Sequence, residues 1–409
     1  MGIYRDLGRS PGVFGILFAQ LTARFPFGML SIILLLHIEQ AYGLYTYAGI
    51  VLACQSFGQA IAGPLMGRLM GAFGMRPVLS ITTLVCSALL IAIAWVHLPL
   101  AVVAGMAFAM GIATPPVTPA VRTIYPKMVP GHQLSGLFSL DASAQEIIWV
   151  FGPVVAVFVS SQFGTEWGLM VAAAFMLFGG LWFIATKAVG RVRIPQARRR
   201  FGAVLRHPTV VIATIAGFLF VASFAALEAG IVAVFGHGAL EAGVVLAVFA
   251  GGSLLGGLLV GHRQMRPWSM LLRSLVVLIG TALCLFSFEA WWLSVVLFLG
   301  GLGTAPMFAA LSTTVSATVK FSETAESYGW VGTGQLVGVA LGSAIAGVAI
   351  DQYGPVGAII VSILFLLATV ILSAACMRII PDLKGRNATP IPDTEPVQLP
   401  DAAGSHVSD

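Results

Sequence analysis

The chain has 409 residues, of which 58% are hydrophobic and 9% are charged, and its formal net charge is +5 at pH 7. This composition excludes a soluble globular protein, because a typical soluble domain carries about 25% charged residues. It is typical of a chain that folds in lipid, where a helix needs about 20 consecutive apolar residues to cross the hydrocarbon. The first apolar run begins at Val13 and is too long for the core of a signal peptide, so we expect no cleaved leader.

Glycine, proline and charged residues divide the chain into twelve predicted membrane helices. The first six are predicted near residues 13–37, 47–71, 77–96, 99–122, 136–160 and 167–187, and the second six near residues 209–233, 241–261, 269–288, 291–313, 326–350 and 356–378. An even number of spans places both ends of the chain on the same side of the membrane.

The two sets of six predicted helices are related by an internal repeat. The segment Ala48–Ala53 (AGIVLA) recurs as Ala242–Ala247 (AGVVLA), and Met75-Arg76-Pro77 recurs as Met265-Arg266-Pro267. Each copy contains an even number of spans, so both copies enter the membrane in the same orientation. The sequence therefore predicts an all-α membrane protein of twelve transmembrane helices, built as two parallel six-helix repeats.

Lysine and arginine residues indicate the orientation of this bundle, because short cytoplasmic loops of membrane proteins are enriched in both. Every lysine and arginine except Arg24 lies in or beside a loop on one side of the predicted helices. This placement explains the basic charge through membrane topology and excludes a nucleic-acid partner. We therefore expect a bacterial inner-membrane protein with both termini in the cytoplasm. Its predicted parts are a cytoplasmic amino-terminal segment (1–12), a first bundle (13–187), a basic cytoplasmic linker (188–208), a second bundle (209–380) and a disordered cytoplasmic tail (381–409).

The turn between the second and third predicted helices has the sequence GRLMGAFGMR, residues 67–76. Together with the twelve-helix repeat and the long basic middle loop, it resembles the signature G-x-L-x-D-R-x-G-R-R of the major facilitator superfamily. The signature is matched at Gly67, Leu69, Gly74 and Arg76. Gly71 and Ala72 stand where the signature has an aspartate and an arginine, so the charged gate of that family is not transferred to this chain. The resemblance implies the major facilitator fold, in which these glycines allow close helix approach, while Arg76 and its counterpart Arg266 anchor turns at the phosphate level.

We single out four ionisable side chains that lie within predicted helices and away from the helix ends, because a charge near the bilayer centre costs about 2.5–3.5 kcal/mol. They are Arg24 in the first helix, Asp141 and Glu146 in the fifth, and Glu228 in the seventh. One interpretation is a static ion pair of Arg24 with either Glu146 or Asp141 that holds the first bundle together. The other is functional, because the resemblance implies that helices 1, 4, 7 and 10 face a central cavity with Arg24 and Glu228 on opposite walls.

On the functional interpretation, we expect Glu146 to be the proton-coupling carboxylate and Arg24 to exchange between Glu146 and substrate. Desolvation favours the neutral form of a carboxyl group and a neighbouring arginine favours its ionised form, so a change of access can change protonation. Thr114 precedes two prolines that should bend the fourth helix toward a cavity. The predicted substrate cavity is lined by Arg24, Glu228, Gln20, Thr114 and Thr304.

Motifs for other chemistry do not occur in the sequence. GxxxxGK[ST] is absent, the four cysteines have no CxxC spacing, and neither HExxH nor GxSxG is found, so we expect no ATPase, metal, cofactor or enzyme activity. The sequence predicts a monomeric, proton-coupled exporter of a small amphipathic or hydrophobic compound. An alternative is a symporter or uniporter that imports a sugar, nucleoside or similar metabolite, and a further one is a membrane receptor that transports nothing.

Overall fold

A computed structural model of the chain describes residues 6–7, 9–96, 98–195, 200–235, 240–260, 263, 265–383 and 388–393. Within these residues, twelve helices are long and apolar enough to cross a membrane, which confirms the predicted fold class. We number them α1 Val13–Tyr42, α2 Tyr47–Phe73, α3 Met75–Trp95, α4 Leu100–Lys127, α5 Gly131–Phe163, α6 Thr165–Ala185, α7 Pro208–Phe235, α8 Glu241–Val260, α9 Ser269–Phe286, α10 Ala290–Thr318, α11 Phe321–Tyr353 and α12 Pro355–Ala375.

Several helices extend beyond the predicted apolar segments. α1 continues to Tyr42 and α5 begins at Gly131, each about one turn past its predicted end. Hydropathy marks only the part of a helix inside the hydrocarbon, whereas the backbone hydrogen bonds continue into the headgroup region. Gly164 and Gly354 follow α5 and α11 at matching positions of the repeat, and their φ angles of 102° and 68° explain why glycine stands at both.

The helices α4 and α10, which correspond in the repeat, are both interrupted. In α4 the α-helical segments Leu100–Ile112 and Val117–Ile124 are separated by residues 113–116, which include two prolines. The helix is interrupted at the prolines where the sequence predicted a bend, because a proline has no N–H to continue the helix. In α10 the segments are Ala290–Gly301 and Thr304–Thr318.

The helices form two bundles, α1–α6 and α7–α12. We call the end of the helices at which the linker lies the linker end. The bundles contact each other between the middle of the helices and the linker end, through α2 and α4 with α11 and through α5 with α8 and α10. Thr333 Oγ1 donates to the Ala60 carbonyl (2.7 Å), and the hydroxyl oxygens of Thr324 and Thr123 lie 3.4 Å apart. The linker end is therefore closed in this conformation.

Glycine makes the contact between α2 and α11 possible. Gly67 lies against the backbone of Ala325, and Gly63 lies against the backbone of Gly329, with no room for a Cβ at either glycine of α2. Two helices approach this closely only where small residues face each other. The close helix approach expected at Gly67 thus serves the closure between the bundles.

The two described parts of the linker, residues 188–195 and 200–208, pack against the helices at the linker end. Lys187–Arg191 form a short helix, and Ala203–Arg206 form a single 3₁₀ turn. The Gly202 amide donates to Glu326 Oε1 (2.7 Å), which ties the linker to the start of α11. Residues 196–199 lie outside the described residues.

Residues 381–383 and 388–393, which lie within the tail predicted to be disordered over 381–409, have a described structure. Leu383 and Ala388 are buried, and residues 388–393 pair with the loop between α10 and α11. The polar composition of the segment indicated disorder, but its few apolar side chains and its backbone groups find partners on the second bundle. Residues 384–387 and 394–409 lie outside the described residues.

Candidate functional site

A cluster of buried polar side chains lies inside the first bundle, between α1, α4 and α5. Its centre is the Asp141 carboxylate, which is fully buried. Asp141 Oδ1 accepts hydrogen bonds from Gln20 Nε2 (2.9 Å) and Tyr125 Oη (3.2 Å) and lies 3.4 Å from Arg24 Nη1. Asp141 Oδ2 lies 3.7 Å from Arg122 Nε, which is an ion pair beyond hydrogen-bond length. We call these five residues the Asp141 cluster.

Two arginines share one carboxylate in the Asp141 cluster. Arg24 is 3% exposed and Arg122 is 8% exposed, so two guanidinium groups are buried beside a single carboxylate. Gln20 uses both ends of its amide, since its Oε1 also accepts from Arg24 Nη1 (2.8 Å). A buried charge requires a partner, so the Asp141 carboxylate is the group that holds α1 and α4 against α5.

Arg24 therefore contacts Asp141, one of the two partners that the sequence left open. Glu146 lies five residues further along α5, where Ser253 Oγ of α8 donates to its Oε1 (2.7 Å). The same Ser253 hydroxyl accepts a hydrogen bond from the Ala305 amide of α10 (3.1 Å). Glu146 thus lies at the boundary between the two bundles and not in the Asp141 cluster.

Glu146 is the last of three polar residues that join α5 to α8. Ser139 Oγ donates to the Gly257 carbonyl (2.7 Å) and Ser143 Oγ to the Leu254 carbonyl (3.4 Å). Residues four and three positions apart lie on one face of a helix, so the three side chains form a single seam. Gly257 has no room for a Cβ because the Ser143 hydroxyl lies against it. We call these contacts the α5–α8 seam.

An aromatic cluster lies beside Glu228 in the second bundle. Phe220 and Phe224 of α7 pack against Phe308 of α10, and Phe224 also packs against Phe249 of α8, with ring centroids 4.8–6.3 Å apart within the cluster. Glu228 lies one helical turn beyond Phe224 and is exposed.

The neighbours of α7 show where the Glu228 face points. Phe224 contacts α8 and α10 on one flank, Phe218 lies against Gly338 of α11 on the other, and Gly230 packs against α12 behind. Glu228 lies on the face of α7 between these two flanks, and both α10 and α11 also contact the first bundle.

The two predicted threonines lie at the interruptions of α4 and α10. Thr114 Oγ1 donates to the Met110 carbonyl (3.2 Å), so its hydroxyl hydrogen is used within α4. Thr304 is 2% exposed, and its hydroxyl has no hydrogen-bond partner among the described residues. It adjoins Ala305, whose amide contacts Ser253, and therefore lies next to the α5–α8 seam.

The predicted turn residues all lie at the linker end. Gly74 has φ 89° and connects α2 to α3, a conformation that favours glycine. Arg76 is exposed, and its guanidinium lies against Gly190 of the linker. Arg266 is exposed, with its guanidinium carbon 5.9 Å from the centroid of the Trp268 ring. Anchoring of these turns at lipid phosphates stays a prediction.

Sequence reasoning missed three members of these sites. The sequence indicated Arg122 only as a basic residue at the end of the fourth predicted helix and did not indicate Tyr125, because hydropathy falls at the end of α4 although both side chains are buried. Ser253 was one small polar residue in an apolar run, and only the contact with Glu146 distinguishes it. Among the described residues, no group of three or more His, Cys, Asp or Glu side chains is placed to hold a metal ion.

Comparison with known proteins relates the whole chain to one family. The model of the Major Facilitator Superfamily matches residues 16–288 and 231–401. The "Uncharacterized MFS-type transporter y4rN" of Sinorhizobium fredii is 28% identical over 177 residues, which are 42% of this chain and 43% of that protein. The "Multidrug resistance protein MdtG" of Klebsiella pneumoniae is 25% identical over 187 residues, 44% of each chain. The matches span less than half the length of these curated relatives.

Solved structures share the fold over nearly the full chain. The proton:xylose symporter XylE has a TM-score of 0.71 at 13% identity and covers 92% of this chain and 97% of its own. The Escherichia coli fucose:proton symporter FucP has a TM-score of 0.68 at 16% identity and covers 89% and 97%. At such identities the likeness shows the fold alone.

Proposed function

The chain belongs to the Major Facilitator Superfamily, and from this membership we propose that it exports a small amphipathic or hydrophobic compound in exchange for protons. Transport proceeds by alternating access, in which the two bundles rock about a central site and open it to one side at a time. The observation that carries the proposal is the position of Glu146, an ionisable side chain at the boundary between the bundles.

Opening of the linker end changes the surroundings of Glu146. In the closed state Glu146 is half-buried and accepts a hydrogen bond from Ser253. When α5 and α8 separate, that contact is broken and water reaches the carboxyl group. Because solvation and hydrogen bonding control the protonation of a carboxyl group, proton binding is coupled to the opening of the α5–α8 seam.

The proposed substrate site lies in the space between the bundles. Glu228 and the aromatic cluster of Phe220, Phe224, Phe249 and Phe308 form its wall on the second bundle. Aromatic faces and a carboxylate both attract positive charge, so the favoured substrate has an apolar body and an amine or quaternary nitrogen.

The hydrogen bonds of two polar side chains favour an amphipathic substrate over a sugar, and with it export over sugar import. The amide of Gln20 is occupied at both ends, and the Thr114 hydroxyl is bonded to its own helix. Two of the groups that would suit a sugar are therefore already used. The name of the relative MdtG, a multidrug resistance protein, agrees with export. The alternative is import by a proton symporter, which is the activity printed for FucP and XylE.

Replacement of Glu146 tests the coupling directly. In proteoliposomes that contain a pH-sensitive dye, ethidium or berberine, two apolar cations with a quaternary nitrogen, should cause proton movement through the wild-type protein, and D-xylose or D-fucose should not. Glu146→Gln should reduce pH-driven exchange to background, because a glutamine amide neither takes up nor releases a proton near neutral pH. The matched control is Glu289→Gln, an exposed carboxylate at the start of α10, which should leave exchange unchanged.

Three alternative results of this assay would each contradict one part of the proposal. Unchanged exchange in Glu146→Gln would remove Glu146 from the coupling step. Proton movement with the sugars but not with the amphipathic compounds would favour import. A receptor that transports nothing would give no proton movement with any of the four compounds.

We further propose that the chain is a monomer in the bacterial inner membrane, with the linker end in the cytoplasm. The basic residues at that end support this orientation. A green fluorescent protein fused after Arg206 should be fluorescent, and an alkaline phosphatase at the same site should be inactive. Fusions after Gly164, between α5 and α6, should give the opposite pattern. An active phosphatase after Arg206 would reverse the orientation.

A further inference from the structure

Residues 388–393 lie across the loop that connects α10 to α11. The Ile391 amide donates to the Val319 carbonyl and the Phe321 amide donates to the Ile391 carbonyl, both at 3.0 Å. These two bonds form a single parallel bridge between Ile391 and Lys320. Ala388 is buried at the start of the segment. We call residues 388–393 the strap.

The strap supplies a cap that α11 does not provide for itself. Neither α11 nor the 3₁₀ turn Phe321–Glu323 that opens it has a side-chain cap from its preceding residue. Instead, Asp393 Oδ1 accepts hydrogen bonds from the Ser322 amide (3.2 Å) and the Ser322 hydroxyl (2.5 Å). A carboxylate at a helix amino terminus is favoured by the free N–H groups and by the helix dipole.

The capped loop also contacts the first bundle and the linker. Lys127 Nζ lies 4.3 Å from the centroid of the Phe321 ring, and His207 Nε2 lies 3.2 Å from Glu323 Oε2. Thr324, the next residue, is the one whose hydroxyl lies close to Thr123 of α4. Residues 319–324 are thus held by the strap on one side and close the linker end on the other.

We infer that the strap is a built-in device that stabilises the closed linker end by capping α11 through Asp393. The inference rests on the alternating access of the proposed function, but it concerns only the balance between the two states. With the strap in place, the start of α11 keeps the position in which it meets α4 and the linker. Without it, the first turn of α11 loses its cap and the linker end opens more readily.

Two truncations separate the strap from the rest of the tail. One chain ends at Asp393 and keeps the strap, and the other ends at Asn387 and lacks it. Spin labels on Ala72 and Trp268, both exposed at the linker end, report the distance between the bundles in nanodiscs after replacement of the four native cysteines. The chain ending at Asn387 should increase the ratio of open to closed linker-end distances by about tenfold, as expected for the loss of several hydrogen bonds. The chain ending at Asp393 should match the full chain.

A second label pair distinguishes a shift of states from local fraying. Gln162 and Gln352 are exposed at the opposite end, at matching positions of the repeat. If the strap controls alternating access, the distance between these two sites should shorten in the same proportion of molecules in which the linker end opens. Asp393→Ala, which keeps the full chain length, should lengthen the Ala72–Trp268 distance and shorten the Gln162–Gln352 distance, with a change of about threefold in the ratio of open to closed linker ends.

The measurement needs no substrate, so it is independent of whether the chain exports. Identical distances in the full chain and in the chain ending at Asn387 would overturn the inference. So would a change at the linker end with no change between Gln162 and Gln352, because that result indicates local fraying only. An equal shift in the chain ending at Asp393 would assign the effect to residues after the strap.

Discussion

Replacing Asp141 with alanine should lower the free energy of unfolding by about 3–5 kcal/mol, the usual cost of removing one partner from a buried ion pair. The change leaves Arg24 and Arg122 buried without a carboxylate, and Gln20 and Tyr125 lose their acceptor. Unfolding can be followed in detergent with a thiol-reactive dye, since Cys86 and Cys284 are buried in the folded chain.

Two comparisons make the Asp141 result specific. Asp351→Ala removes an exposed carboxylate at the end of α11 and should change the free energy of unfolding by less than about 0.5 kcal/mol.

A double-mutant cycle of Asp141→Asn with Arg24→Gln should give a coupling energy of about 1–3 kcal/mol, because the two side chains are in contact. A second cycle that pairs Glu146→Gln with Arg24→Gln should give little coupling energy. A larger coupling of Arg24 with Glu146 than with Asp141 would contradict the arrangement described above.

A single methyl group at Gly67 should prevent full closure of the linker end. The Cβ of Gly67→Ala would collide with backbone atoms of Ala325 and Glu326 in the opposite bundle, and backbone cannot move aside as a side chain can. Overpacking of this kind costs about 1–3 kcal/mol, which corresponds to roughly a 5- to 150-fold shift toward the open linker end. The spin-label pair on Ala72 and Trp268 measures this shift, and transport should fall because the closed state becomes rare.

Gly71 provides the matched control for Gly67. It lies one turn further along the same row of α2, but its Cβ would meet Pro195 and Ile194 only at 3.5 and 3.7 Å, which is ordinary van der Waals contact. Gly71→Ala should therefore leave both the distance distribution and transport unchanged. If Gly67→Ala behaves like Gly71→Ala, the contact between α2 and α11 does not limit closure.

Hydropathy and the internal repeat predicted the helices well because both can be recognised in the sequence without knowledge of which helices are in contact. A run of apolar residues must cross lipid wherever it lies in the bundle, and the predicted break at Thr114 follows from the covalent structure of proline. The tail was predicted less well. Its composition indicated disorder, and only the position of the α10–α11 loop gives Ile391 and Asp393 their partners.

The site shows why partner choice could not be predicted in the same way. Asp141 and Glu146 are five residues apart on α5, which is about 140° around the helix, so they cannot face the same neighbour. The sequence contains nothing that sets the rotation of α5, and Asp141 and Glu146 were both left as partners for Arg24. The rotation follows from packing, because Gly28 of α1 and Gly152 of α5 lie against each other's helix and Ser139 and Ser143 meet α8.

Twelve membrane helices in two parallel copies could be predicted from the sequence, because apolar runs and the internal repeat are visible along the chain. Arg24, Asp141, Glu146 and Glu228 could likewise be recognised as charges that need partners, because a charge in hydrocarbon is costly wherever it lies. The contact of Asp141 with Arg24, that of Ser253 with Glu146 and the capping of α11 by the tail became known from the folded structure. These contacts depend on helix rotation and on approach distances between segments far apart in sequence, which no local pattern records.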